Sequence, residues 1–189
     1  PTLYGFVYGE HPRQLARCPN QVGKSVAGAK RADLASRGLL PAVPRAPNKG
    51  LVMIADLDNH YAEICEKIWS VIDRPSLHPD CKYVEGRGIY THGRRLVKYA
   101  NGSTWTFRSG EGEVMAVAGG TFDWGWFDEV PKRAHFSEFM RGMSSKMAPC
   151  WGTLTPIGRP IGWFRDRVEG DEYYREAVAN GVDPELAPG

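Results

Sequence analysis

The run Lys49 to Ala55 (KGLVMIA) narrows the fold more than any other stretch, because after Lys49 it carries no polar side chain. A strand wet on one face alternates apolar and polar residues, whereas a run that is apolar throughout is the mark of a parallel strand covered on both faces. Asp56 or Asp58 then offers a helix cap, and Tyr61, Ile64, Cys65, Ile68, Trp69 and Ile72 follow at helical spacing. Strand, cap and helix make one βα unit. A parallel partner strand needs a crossover connection, so the same pattern has to recur elsewhere in the chain.

It recurs. Arg13 to Cys18 alternates weakly and leads through Pro-Asn-Gln-Val-Gly-Lys-Ser into Val26 to Arg37, which is rich in Ala, Lys, Arg and Leu and stops at Gly38, a plausible C-cap. Leu39 to Asn48 carries three prolines and reads as a surface connection. Asp73 to Gly88, with two prolines, His78 and Cys81, reads as a loop. Arg95–Tyr99 and Ser103–Arg108 flank Asn101-Gly102, a strong hairpin signal. Phe122 to Phe127 is an apolar strand running into Asp128-Glu129, with Pro131 breaking it. Phe136 to Met147 has a helical pattern, Cys150 to Thr155 a short strand, and Gly162 to Glu169 a terminal helix. The fold expected is α/β, a mainly parallel sheet covered by helices on both faces, with a β-hairpin insertion.

At 189 residues and 42% hydrophobic content the chain suits one domain, 1–189, with a sizeable core. Lys and Arg number 24 against 22 Asp and Glu, a net charge of +2, which excludes a whole-protein field of the histone kind; nucleic-acid contact must be local. Cys18, Cys65, Cys81 and Cys150 are scattered, without zinc or redox spacing, and read as reduced thiols. The five histidines share no spacing that assigns them to a metal. No apolar run approaches the roughly 18 residues of a membrane span and no signal-peptide order opens the chain, so a soluble cytoplasmic protein is expected. Pro1-Thr2-Leu3 and the polar stretch to Gly189 both read as cut or processed edges of something longer.

Two short motifs carry chemistry. Gly23-Lys24-Ser25 lies between a strand and a helix, the context in which a Walker A loop wraps phosphates with backbone N–H groups at a helix N-terminus. In that role Lys24 neutralises the β- and γ-phosphates of ATP and Ser25 ligates Mg²⁺. The plain alternative is an ordinary glycine opening a helix, and Cys18 stands where the full pattern has its first Gly. Asp128 and Glu129 end an apolar strand at the edge where ligands bind in open α/β sheets. There Asp128 would hold Mg²⁺ and Glu129 would orient and deprotonate the attacking water. A solvated acidic turn is the alternative for an isolated Asp-Glu. Thr153 and Thr155 fall on one face of the next short strand, positioned to sense the γ-phosphate or simply filling a strand before Pro156.

The order of motifs resembles the ATPase domain of tailed-phage terminase large subunits. It comprises Pro19-Asn20-Gln21-Val22-Gly23-Lys24-Ser25-Val26, then an apolar strand and helix. Asn101-Gly102-Ser103 and Gly120-Thr121 leading to Asp128-Glu129 come next, and Thr153-Leu154-Thr155-Pro156 closes the series. The likeness runs from about Arg13 to Gly158. It implies a P-loop ATP hydrolase binding ATP and Mg²⁺ that drives double-stranded viral DNA into a procapsid. It further implies a homo-oligomeric ring meeting a portal protein and a small terminase subunit in the host cytoplasm. By that resemblance Lys24 and Ser25 are the Walker A pair, Asp128 and Glu129 the Walker B carboxylate and catalytic base, and Thr153 to Pro156 the coupling motif. Two positions depart from the pattern. Pro19, Asn20 and Gln21 stand where many relatives have an in-loop Arg, and Ala118 where an Arg often precedes the Gly of the turn. The arginine facing the γ-phosphate is thereby left among Arg13, Arg17, Arg141 and Arg159. Tyr8 to Gln14 is at most a remnant of the adenine-contacting segment, and the residues after Gly170 do not match the C-terminal nuclease of these proteins.

Trp105, Trp124, Trp126, Trp151 and Trp163 suit core packing better than base stacking, since duplex DNA hides its bases. Lys132, Arg133, Arg94, Arg95 and Lys98 read as solvated charges before they read as phosphate contacts. Two other functions share the motifs: a helicase-like DNA-dependent ATPase, which needs a second RecA-like domain, and a nucleotide-gated assembly subunit with weak hydrolysis.

Overall fold

In the computed structural model, which describes residues 3–19, 22–112, 120–155 and 163–164, eight strands and four α-helices follow one another. The strands are β1 (Arg13–Arg17), β2 (Lys49–Ile54), β3 (Cys81–Val84), β4 (Gly88–Thr91), β5 (Leu96–Lys98), β6 (Thr104–Ser109), β7 (Trp124–Asp128) and β8 (Cys150–Leu154). The helices are α1 (Leu3–Tyr8), α2 (Lys24–Ser36), α3 (Leu57–Val71) and α4 (Arg133–Ser144). Six strands form one sheet in the order β1-β8-β7-β2-β6-β5, and β3 pairs with β4 in a separate ribbon. The apolar run became β2, buried at every residue after Lys49. Every pairing in the large sheet is parallel except β5 on β6.

Side-chain alternation on β7 divides the helices between the two faces. Trp124 and Trp126 point toward α2, which approaches so closely that a methyl group at Gly28 would lie 2.6 Å from the Trp126 ring. α3 joins the same face, with Tyr61 edge-on to Phe107 at 5.1 Å. Phe127 points the other way, edge-on to Phe136 and Phe139 of α4 at 5.7 Å each. The sheet is therefore covered on both sides, as the sequence pattern implies. Trp105, Trp124, Trp126 and Trp151 are 0–1% exposed. Burying about 200 Å² of indole at about 25 cal/mol per Å² is worth about 5 kcal/mol gross for each. That gain survives only if each N–H finds an acceptor, and each does: Ser36 Oγ at 2.5 Å, Asn48 Oδ1 at 2.9 Å, Thr153 Oγ1 at 2.9 Å and the Gly28 carbonyl at 3.3 Å, respectively. Core packing, and not base stacking, is the role of these four.

The punctuation comes from the residues expected to supply it. Asp56 Oδ1 accepts the Asn59 N–H at 3.2 Å and caps α3. Gly38, at φ 71°, ends α2 with its N–H on the Ala35 carbonyl and the Leu39 N–H on that of Leu34. Asn101-Gly102 turns β5 into β6, with the Tyr99 N–H on the Ser103 carbonyl at 2.9 Å.

Two segments differ from the sequence reading. Asp73 to Gly88, read as a loop, holds a 3₁₀ turn (Arg74–Ser76) and β3. The β3–β4 strands are four residues each, too short for period-2 patterning to stand out. They are fixed by aromatic contacts from α3, Trp69 on Tyr83 at 5.6 Å and Tyr61 on Tyr90 at 5.9 Å. Helix α1 is likewise unanticipated. It is held by Arg31, fully buried on α2, whose guanidinium donates to the carbonyls of Phe6, Val7, Gly9 and His11 at 2.7, 3.2, 2.9 and 3.1 Å. Burial lowers the Arg31 pKa to about 10, so the group stays charged at neutral pH.

Arg94, Lys132 and Arg133 are exposed, and Arg95 pairs with Asp58 at 2.7 Å. The four cysteines are free. Among the described residues no helix is long and apolar enough to cross a membrane. The chain divides into the compact unit Pro1–Thr155 and a second unit, Pro156–Gly189. Of the helix expected over Gly162–Glu169 only Trp163 and Phe164 are described; they are helical, their rings edge-on at 5.6 Å.

Candidate active site

The parallel strands bring their C-terminal ends to one edge. Arg17 lies opposite Leu154, Thr153 opposite Asp128, and Asp128 opposite Ile54. Gly23 takes a left-handed φ of 80°, which glycine adopts without steric cost. It turns the chain so that α2 starts at Lys24, with no side-chain cap among the described residues and with the positive end of its dipole there. Lys24 and Ser25 are each 8% exposed. Lys24 Nζ stands 3.3 Å from Glu129 Oε1, and the Ser25 hydroxyl hydrogen-bonds the Asp128 carboxylate. The start of α2 and the end of β7 thus face each other.

Asp128 is held by two hydroxyls. Burial pushes its pKa up; hydrogen bonds from Thr153 and Ser25 oppose that shift, and the neighbouring Glu129 charge adds to it, leaving the carboxyl above its ordinary range. Thr153 is fully buried and both accepts and donates: Trp126 Nε1–H gives to its Oγ1 at 2.9 Å, and Oγ1–H gives to Asp128 Oδ1 at 2.6 Å. Glu129 has a left-handed φ of 64°, costly for a residue with a Cβ. Its N–H donates to the Thr153 carbonyl at 2.7 Å, while its carboxylate accepts the Thr155 N–H at 2.9 Å and the Thr155 hydroxyl at 2.7 Å. The strained backbone and two donors fix one direction for this carboxylate. The donor set of carboxylate and hydroxyl oxygen at Asp128 and Ser25 is hard and suits Mg²⁺.

Lys24, Ser25, Asp128, Glu129, Thr153 and Thr155 are therefore brought together. Around them, Pro19 and Val22 are exposed, Val26 is half-buried, and Asn20 and Gln21 lie outside the described residues. The arginine candidates separate. Arg17 ends β1 at the carboxyl edge, whereas Arg13 pairs in register with Cys150 at the opposite end, about 13 Å back along the strand. Arg141 is exposed and paired with Glu138 on its own helix. Arg159 and Ala118 lie outside the described residues. The residue missed by sequence reasoning is Trp126. Its signal was present, since two residues before Asp128 on a strand is the same face.

A scan of the sequence finds no matching family model, and no curated protein matches it. Solved structures do match. The large terminase ATPase domain of Thermus phage P74-26 superposes with a TM-score of 0.61 at 18% identity, covering 88% of this chain and 68% of that one. The HK97 bacteriophage large terminase gives 0.59 at 11% identity, covering 92% of this chain and 34% of that one. A thermophilic bacteriophage large terminase in complex with ADP gives 0.59 at 14% identity, covering 84% and 38%. The chain thus spans about a third of the whole large terminases it matches and about two thirds of an isolated ATPase domain. Its parallel sheet, covered by helices and closed at one edge by the Lys24–Glu129 pair, has the fold of the large terminase ATPase domain.

Proposed function

We propose that this chain is the ATP-hydrolysing motor domain of a viral large terminase. The observation that carries the reading is the opposition of Lys24 and Ser25 to Asp128 and Glu129 at a helix N-terminus, on the carboxyl edge of a parallel sheet. In this reading the Pro19 to Val26 loop wraps the phosphates of ATP and Lys24 neutralises the β- and γ-phosphates. Ser25 and Asp128 hold Mg²⁺, which neutralises charge on the phosphate oxygens. Glu129, aimed by Thr155, orients the attacking water and takes its proton as the bond to the γ-phosphorus forms and the bond to the β,γ-bridging oxygen breaks, giving ADP and inorganic phosphate. Arriving phosphates compete with Glu129 for the Lys24 ammonium, so substrate binding itself frees the base. Thr153 fixes Asp128 and is a positioning residue. Arg17, at the same edge, is the in-chain candidate to face the γ-phosphate.

The work done is translocation of double-stranded DNA into a procapsid, by a homo-oligomeric ring docked on a portal protein and served by a small terminase subunit in the host cytoplasm. The support for this is the fold shared with large terminases. Hydrolysis and nucleotide binding measured for wild type, Lys24→Ala and Glu129→Gln test the catalytic part: the first variant should lose nucleotide binding, the second should bind without turnover. Equal residual rates in all three proteins would remove the catalytic assignment.

A further inference from the structure

Away from this edge, His78, Asp80 and His92 converge although no sequence spacing links them. His78 Nδ1 and His92 Nε2 each stand 3.6 Å from Asp80 Oδ2, and the three ligand atoms all lie within 4.8 Å of one another. Zinc bonds of about 2.0–2.2 Å at tetrahedral angles place ligand atoms about 3.3–3.5 Å apart. Each imidazole–carboxylate pair is therefore a few tenths of an ångström from ligating separation. The two imidazole nitrogens lie within 4.8 Å of each other.

The backbone holds the groups from two places. The His78 N–H donates to the Lys98 carbonyl at 2.9 Å and its carbonyl accepts the Cys81 N–H at 2.8 Å, which pins the loop to strand β5. His92 sits in the turn after β4, closed by reciprocal bonds between Thr91 and Arg94 at 3.0 and 3.1 Å, with Thr91 fully buried beneath it. His92 takes a φ of 50°, the left-handed region that Asn tolerates best among side-chain-bearing residues. The Asp80 N–H donates to His78 Nδ1 at 3.2 Å, so this nitrogen is the unprotonated one, the form that binds a metal. That bond, exposed and 3.2 Å long, would be given up when a metal takes the lone pair. Arg95, three residues past His92, is directed elsewhere, onto Asp58 at 2.7 Å and over the Tyr61 ring.

We propose that His78, Asp80 and His92 form a divalent transition-metal site of the zinc type, which clips the turn after β4 to the loop before β3. Two imidazoles and one carboxylate are borderline donors that select Zn²⁺, Co²⁺ or Ni²⁺ over Mg²⁺ or Ca²⁺, with water completing the shell. The site is independent of the proposed ATPase chemistry. Titrating the protein with Zn²⁺ by calorimetry in excess Mg²⁺, and with Co²⁺ by visible absorption, tests it. Wild type should bind one equivalent, show the d–d bands of a four-coordinate Co²⁺ site, and melt at a higher temperature with Zn²⁺. His92→Asn, which keeps the left-handed backbone, and the exposed change Asp80→Asn should each weaken binding by about tenfold or more and abolish the melting shift. No Zn²⁺ binding by wild type, or undiminished binding by both variants, overturns the assignment.

Discussion

Replacing Thr153 by Val tests the link between the core and the candidate site. Valine matches threonine in volume, so a fully buried position gains no cavity and the change isolates the hydroxyl. Two interactions disappear. The Trp126 indole N–H, 0% exposed and bonded to Thr153 Oγ1 at 2.9 Å, is left without an acceptor, at about 1–3 kcal/mol. The bond to Asp128 Oδ1 at 2.6 Å also goes; hydrogen bonds to charged groups are worth about 1.5–3 kcal/mol, and the low end applies to a carboxylate that solvent partly reaches. The sum is about 3 kcal/mol, which for a chain of 189 residues lowers Tm by roughly 6–12 °C. Thermal and urea unfolding measure it. A double-mutant cycle with Trp126→Phe assigns the cause: with the indole N–H already gone, Thr153→Val should cost about 1 kcal/mol less than in wild type. A Thr153→Val protein as stable as wild type, or full additivity with Trp126→Phe, would show that the Trp126–Thr153–Asp128 chain does not hold the carboxylate.

Gly28→Ala sets a helix-propensity gain of about 1 kcal/mol against overpacking of about 1–3 kcal/mol. Because the added methyl meets the buried Trp126 ring at 2.6 Å, overpacking should win, giving a protein less stable than wild type by about 1 kcal/mol in urea unfolding, with slowed ATP hydrolysis. Cys65, Cys81 and Cys150 are buried, and burial pushes the Cys65 thiol up to about 11 and that of Cys150 upward as well. At pH near 8 half-buried Cys18 should therefore alkylate first, and ATP with Mg²⁺ should protect it, as peptide mass mapping will show. Arg31→Met leaves the Phe6, Val7, Gly9 and His11 carbonyls without their donor, so α1 should detach and limited proteolysis should cut within residues 3–11 sooner than in wild type.

The parts of the fold that were legible were those written in local chemistry. KGLVMIA has one plausible environment, Asp56 and Gly38 act within a turn of their own helices, and Asn101-Gly102 sets its hairpin unaided. The candidate site was legible for a related reason: a helix start and a strand end are local events, and the parallel order of the strands carries both to one edge. What escaped depends on contacts distant in sequence. The β3–β4 ribbon is held by Trp69 and Tyr61 of α3, and α1 by a guanidinium on α2. Arg13 and Arg17 could not be told apart until the register of β1 on β8 put them at opposite ends. His78 and His92 meet only because the ribbon folds back.

The glycine that lets α2 lie against Trp126 also leaves no slack at that junction. Two pieces touching backbone to ring behave as a single casting, so the N-terminal end of α2 and the acidic tip of β7 have to travel together. Flexing must then be accommodated just past the end of β7, where the Thr155 N–H and hydroxyl meet Glu129. Amide exchange should register this as matched protection along α2 and β7, with earlier opening at Thr155.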